Sequence, residues 1–151
     1  MATQKIVLKT DTFEIQRQKI NSIGIDVYQT LTGAIALESV NIDDVSTLDT
    51  SLVVDTSGSQ FVANSFAASD FRTTKYLLQV QETGSSNFYS TEVFIMHDGS
   101  EVYMTQYGTL NTDSSPVTSI EADIDSGNVR LLITPSVSNT TTKISRISLT
   151  A

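Results

Sequence analysis

The feature that most constrains this chain is its Ser and Thr content, 41 of 151 residues. Thr, like Val, suits the pleated and half-buried surface of a sheet, whereas Ser joins Asn, Asp and Gly in supplying turns. Ala, Glu and Lys are sparse, so a mostly helical fold would contradict local preference nearly everywhere. From residue 34 onward, turn signals recur every eight to twelve residues. That spacing predicts a mainly β protein, an antiparallel and jelly-roll-like sandwich over residues 34–151, preceded by an N-terminal arm and helix over residues 1–33.

The strands are read from alternation. Ala34 to Val40 and Ser51 to Asp55 are short candidates around the acidic turn Asn41-Ile42-Asp43-Asp44. Arg72 to Glu82 places Tyr76, Leu78 and Val80 on one face and Lys75, Gln79 and Gln81 on the other, with Leu77 the exception. After the break at Gly84 to Asn87, Phe88 to Met96 and Glu101 to Tyr107 flank His97-Asp98-Gly99-Ser100. Asp-Gly supplies the positive φ values that a tight hairpin turn needs. Ile120 to Asp125 and Asn128 to Thr134 form a second hairpin about Ser126-Gly127, and Lys143 to Thr150 closes the chain. Nine of the eleven Phe and Tyr fall between Phe61 and Tyr107, which places the core there.

The N-terminal stretch has a different period. Asp11 is placed to cap a helix and Glu14 to complete a capping box. Phe13, Ile20 and Val27 recur at seven-residue spacing, with Ile23 between them, Leu31 one turn further on and Gly33 as a stop. A helix this short is marginal alone, so it must pack on its own sheet or on copies of itself. The apolar seam Phe13, Ile20, Ile23, Val27 and Leu31 is therefore the candidate oligomerisation and attachment site. An earlier strand, Gln4 to Leu8, can pair within the chain or augment a neighbour.

Composition excludes several chemistries. The absence of Cys removes disulfides, thiolate metal sites and Cys nucleophiles. A net charge of −8 disfavours nonspecific phosphate binding and with it nucleic acid. No apolar run approaches the ~20 residues a membrane helix needs, and Met1 to Leu8 lacks a signal peptide's apolar core, so the expectation is a soluble chain made in a cytoplasm. The acid is concentrated in residues 34–69, which carry five carboxylates and no basic residue.

Few groups remain that could do chemistry. His97 beside Asp98 is the one imidazole and carboxylate combination, with Ser90 and Ser100 near in sequence, and a turn residue explains it better than a hydrolase. Asp43-Asp44 and the Asp123, Asp125 pair have oxygens for calcium, but a solvated acidic turn accounts for both. Asn139-Thr140-Thr141 matches a glycosylation acceptor that, lacking a secretion signal, reads as a turn. No catalytic residue, metal or cofactor is expected. Tyr89, Tyr103 and Tyr107 are candidate glycan contacts, set against ordinary core and cross-strand packing.

Phe71 to Val80, Glu92 to Gly99 and Tyr103 with Gln106-Tyr107-Gly108 together resemble a module of virion structural proteins, the fibre or appendage proteins of tailed phages infecting marine cyanobacteria. The likeness extends through Asn128 to Pro135 to the Thr-rich last strand, and Asp11 to Asn21 is similar to the start of phage fibre and baseplate-attached proteins. The resemblance implies a non-enzymatic virion subunit, a small fibre or appendage, repeated by symmetry as a homotrimer and touching other virion proteins. A capsid decoration protein and a carbohydrate-binding module for host surface glycan are the alternatives.

Overall fold

The computed structural model describes residues 39–151. The N-terminal arm, the helix with its seam from Phe13 to Leu31, the strand Gln4 to Leu8 and most of Ala34 to Val40 lie outside the described residues. Among the described residues there is no helix, and nine strands form two antiparallel sheets: β1 (Ser39–Ile42), β2 (Ser46–Asp55), β3 (Phe61–Ala67), β4 (Phe71–Glu82), β5 (Phe88–His97), β6 (Val102–Asn111), β7 (Val117–Asp125), β8 (Asn128–Pro135) and β9 (Thr140–Thr150). The larger sheet has the order β1-β2-β9-β4-β5-β6 and the smaller β3-β8-β7. The sequence thus predicts the class correctly, with the sheets divided six and three.

Both hairpins form where the turn chemistry places them. Ser126 and Gly127 hold φ of 51° and 79° and join the paired residues Asp125 and Asn128, the positive pair that a two-residue turn demands. In the other hairpin only Gly99 is left-handed, at 103°. Asp98 acts there through its side chain, whose Oδ1 accepts the Ser100 and Glu101 amides at 2.8 Å each.

Three elements depart from expectation. β1 runs on through Asn41 and Ile42, so the turn expected from Asn41 to Asp44 is instead formed by Asp43 to Val45. β2 begins at Ser46, because its polar first half pairs with β9 in one unbroken register from Ser46 with Leu149 to Asp55 with Thr140. β3 carries no clean alternation because a bulge between Val62 and Asn64 shifts its phase against β8.

The core lies between the sheets. Tyr76, Leu78 and Val80 from β4, Val93 and Ile95 from β5, and Val129, Leu131 and Ile133 from β8 are fully buried. Each such side chain contributes roughly 1.5 to 3 kcal/mol relative to exposure. From the larger sheet the buried cluster draws on β9, β4 and β5, with partly buried Val102 of β6 packed against it and no residue of β1 or β2. The larger sheet therefore overhangs the smaller one, and nine of the ten β6 residues are exposed.

Candidate functional site

In the larger sheet, odd residues of β5, even residues of β9 and, beyond the bulge between Phe71 and Thr73, even residues of β4 point to the core, which sends the alternate set to the opposite, outer face. Strand register arranges that set in rows. One row runs Ile42, Ser46, Leu149, Thr73, Met96, Tyr103, and the next runs Val40, Leu48, Ile147, Lys75, Phe94, Thr105. A third runs Thr50, Ser145, Leu77, Glu92, Tyr107, and a fourth Leu52, Lys143, Gln79, Ser90, Leu110. Val54 belongs to a fifth row, opposite Thr141.

This face is apolar and open. Of the sixteen exposed large hydrophobic residues among the described residues, all but Val45, Val62 and Met104 lie on it, with Leu52 61%, Leu77 54% and Ile147 49% exposed. A sandwich ordinarily turns polar side chains outward, so thirteen apolar ones on one outer face mark a contact surface. Its charges are few. Lys75 pairs with Glu92 at 3.0 Å and lies 5.7 Å from the centre of the Tyr107 ring. The hydrogen bond from Lys75 to Glu92 raises the lysine above its ordinary pKa. Lys143 is a further charge, and it borders a shallow groove of about 520 Å³ lined also by Leu52, Leu77, Gln79, Ser90 and Ser145.

The sequence-derived candidates separate. Tyr103 and Tyr107 stand on the outer face, 49% and 43% exposed. Tyr89 points the other way, is 5% exposed, and its hydroxyl accepts from the Gln106 amide. It therefore does not share a surface with the other two. Tyr103 donates to Asp98 Oδ2 at 3.2 Å and to Glu101 Oε2 at 3.3 Å; the nearby Asp98 charge raises its phenol pKa, while the Glu101 and Ser100 amides lower that of Asp98.

His97 is a structural residue. It is 1% exposed, its Nδ1 accepts the Gly99 amide at 3.1 Å, and its Nε2 lies 2.7 Å from the Phe71 carbonyl. Accepting at Nδ1 leaves the proton on Nε2, so both nitrogens are committed to backbone groups. The Asp98 carboxylate serves the turn amides, and Ser90 Oγ donates to the Leu78 carbonyl at 3.0 Å. His97, Asp98 and Ser90 thus form no relay.

The acidic pairs are likewise accounted for. Arg130 donates to Asp123 through Nε at 2.8 Å and Nη2 at 2.5 Å, and to Asp125 through Nη1 at 2.6 Å. This guanidinium lowers the Asp123 pKa. Asp43 and Asp44 are left-handed turn residues at 59° and 54°, where Asn41 Nδ2 donates to Asp44 at 3.0 Å.

A buried cation escaped the sequence reading. Arg146 of β9 points inward, is 6% exposed, pairs with Asp49, and donates to Asn64 Oδ1 at 2.9 Å and the Ser65 carbonyl at 3.4 Å. Its guanidinium lies 5.4 Å from the Phe66 ring centre and 5.5 Å from that of Phe71. Tyr76 donates to the same Asn64 oxygen at 3.3 Å, and burial pushes its phenol up to about 12. This network ties β2, β3, β4 and β9 together beneath the outer face.

No family model matches the chain, and no curated protein matches it. The solved structures to which the chain is similar include two phage tailspikes. One is the tailspike protein gp49 from Acinetobacter baumannii bacteriophage Fri1, described as a capsular polysaccharide depolymerase, with a TM-score of 0.46, 10% identity and coverage of 81% of this chain and 21% of that one. The other is the tailspike of Acinetobacter phage vB_ApiP_P1, with a TM-score of 0.45, 16% identity and coverage of 76% and 25%. The chain thus spans about a fifth to a quarter of the length of these proteins.

Proposed function

We propose that this chain is a non-catalytic structural subunit of a tailed-phage virion, a small fibre or appendage held through its N-terminal segment and present as a homotrimer. The observation that carries the reading is the outer face of the larger sheet, whose exposed apolar rows suit contact between macromolecules. The commitment of His97 to backbone groups and of Asp123 and Asp125 to Arg130 supports the non-catalytic part. The resemblance of Phe71 to Gly108 to phage appendage modules supplies the setting. Phe13, Ile20, Ile23, Val27 and Leu31 are the proposed attachment positions, so Ile20→Asp should release the chain from the particle and leave the sandwich folded.

Immunogold labelling of purified virions tests this. Label on the tail is the expected result, label over the capsid assigns a decoration protein instead, and virions free of the chain overturn the proposal. Release of reducing sugar from host polysaccharide by the purified chain would overturn its non-catalytic part.

One observation favours a second reading, host-glycan binding. Tyr107 and the groove bordered by Lys143, Gln79 and Ser90 share the outer face, which thus offers a ring and several hydroxyl and amide groups. A glycan array decides it: retention that Tyr107→Ala abolishes supports the reading, and an array without binding removes it.

A further inference from the structure

From the shape and charge of the outer face we infer that it is where one copy of this chain packs against another. The inference deepens the proposal above and rests on its premise that copies associate; it adds which surface does so. The first two rows make a band crossing all six strands, in which Ile147, Leu149, Phe94 and Met96 are between 41% and 49% exposed. Strands about 4.8 Å apart and residues rising about 3.3 Å each give the whole face, all its rows together, roughly 600 to 900 Å², close to the ~800 Å² per partner of a stable interface.

Charge selects a second copy as the occupant. The chain carries −8, yet the rows of this face place Lys75, Glu92 and Lys143 within it, and Asp98 and Glu101 meet its edge at the Tyr103 hydroxyl, so its charges nearly cancel. Glu121, Asp123 and Asp125 lie on the smaller sheet, and Asp43, Asp44 and Asp70 lie in turns. Copies meeting through their larger sheets therefore remove apolar area while most of their acidic groups stay apart. A charge-poor centre with a charged surround is the ordinary anatomy of such a contact.

Sedimentation of the full chain tests the assignment with I147E combined with F94E, which flank Lys75 in one row. Both sites are exposed and Lys75 lies between the new carboxylates, so the fold is retained, as far-ultraviolet circular dichroism will check. The expected result is an oligomeric wild-type chain, a double variant whose association is weakened roughly a hundredfold or more, and a Val62→Glu control on the smaller sheet that associates like wild type. A monomeric wild-type chain at micromolar concentration overturns the inference, because something other than a copy must then cover the face. An oligomer that survives the double substitution, or one that Val62→Glu dissociates equally, also overturns it. Each outcome is independent of the virion labelling, so failure of this surface and failure of the virion role are told apart.

Discussion

Replacing Arg146 with Ala should be among the costliest single changes to this fold. The side chain is 6% exposed and holds Asp49, Asn64 and the Ser65 carbonyl while stacking near Phe66 and Phe71. Removing one partner of a buried pair costs about 3 to 5 kcal/mol because the other charge is left uncompensated. The Asp49 side chain is 29% exposed, so water relieves part of that penalty and the ionic share falls near the lower end. Lost packing against the two rings adds to it, for a total near 4 kcal/mol. In a domain of this size about 4 °C accompanies each kcal/mol, so Tm should fall by about 15 °C. Urea unfolding followed by fluorescence gives the free energy directly, with the slope unchanged if the native state stays compact. The double variant Asp49→Leu with Arg146→Met should lose less than Arg146→Ala alone, since no charge remains stranded. A loss below about 1 kcal/mol for Arg146→Ala would mean that the network is incidental to the packing.

Three further outcomes follow from the same geometry. Tyr76 holds its proton more tightly folded than unfolded, with a pKa pushed up to about 12 by burial, so its contribution is complete below pH 10 and is lost as pH rises through 12. That contribution is about 2 to 3 kcal/mol, and in alkaline thermal melts Tyr76→Phe should flatten the decline between those limits relative to wild type. His97→Ala should cost about 2 to 4 kcal/mol through two lost hydrogen bonds and a cavity, and nitrogen NMR of the wild type should find the proton on Nε2. Asp123, lowered by Arg130, stabilises the fold above the unfolded carboxyl pKa and ceases to do so as pH falls through the folded value. Because both partners are partly exposed, Asp123→Asn should show only a small, salt-sensitive loss at neutral pH and none in strong acid.

Turn chemistry and the β4 pattern were legible in the residues. Gly99 and the Ser126-Gly127 pair impose backbone angles few other residues accept, and Tyr76, Leu78 and Val80 alternate against polar neighbours, so position and phase follow. β9 shows where that logic stops. Thr142, Ile144, Arg146 and Ser148 point inward while Ile147 and Leu149 point out, so hydrophobicity selects the wrong face at its C-terminal half. The inversion arises because Arg146 finds Asp49, Asn64 and two rings across the sandwich, partners that no local pattern can announce. Leu77 was the visible trace of the outer face: the one residue that broke the β4 alternation stands in the middle of it. The extent of that face needed the register of six strands, because its members come from positions between 40 and 149.

Carbene footprinting of the full chain across a dilution series puts the central idea, that this protein works by burying its larger sheet against a copy, to the most direct trial. Leu77, Phe94 and Ile147 should be protected relative to Val62 at high concentration and become labelled on dilution. Labelling equal to that of Val62 at every concentration, or protection that dilution leaves untouched, would contradict it.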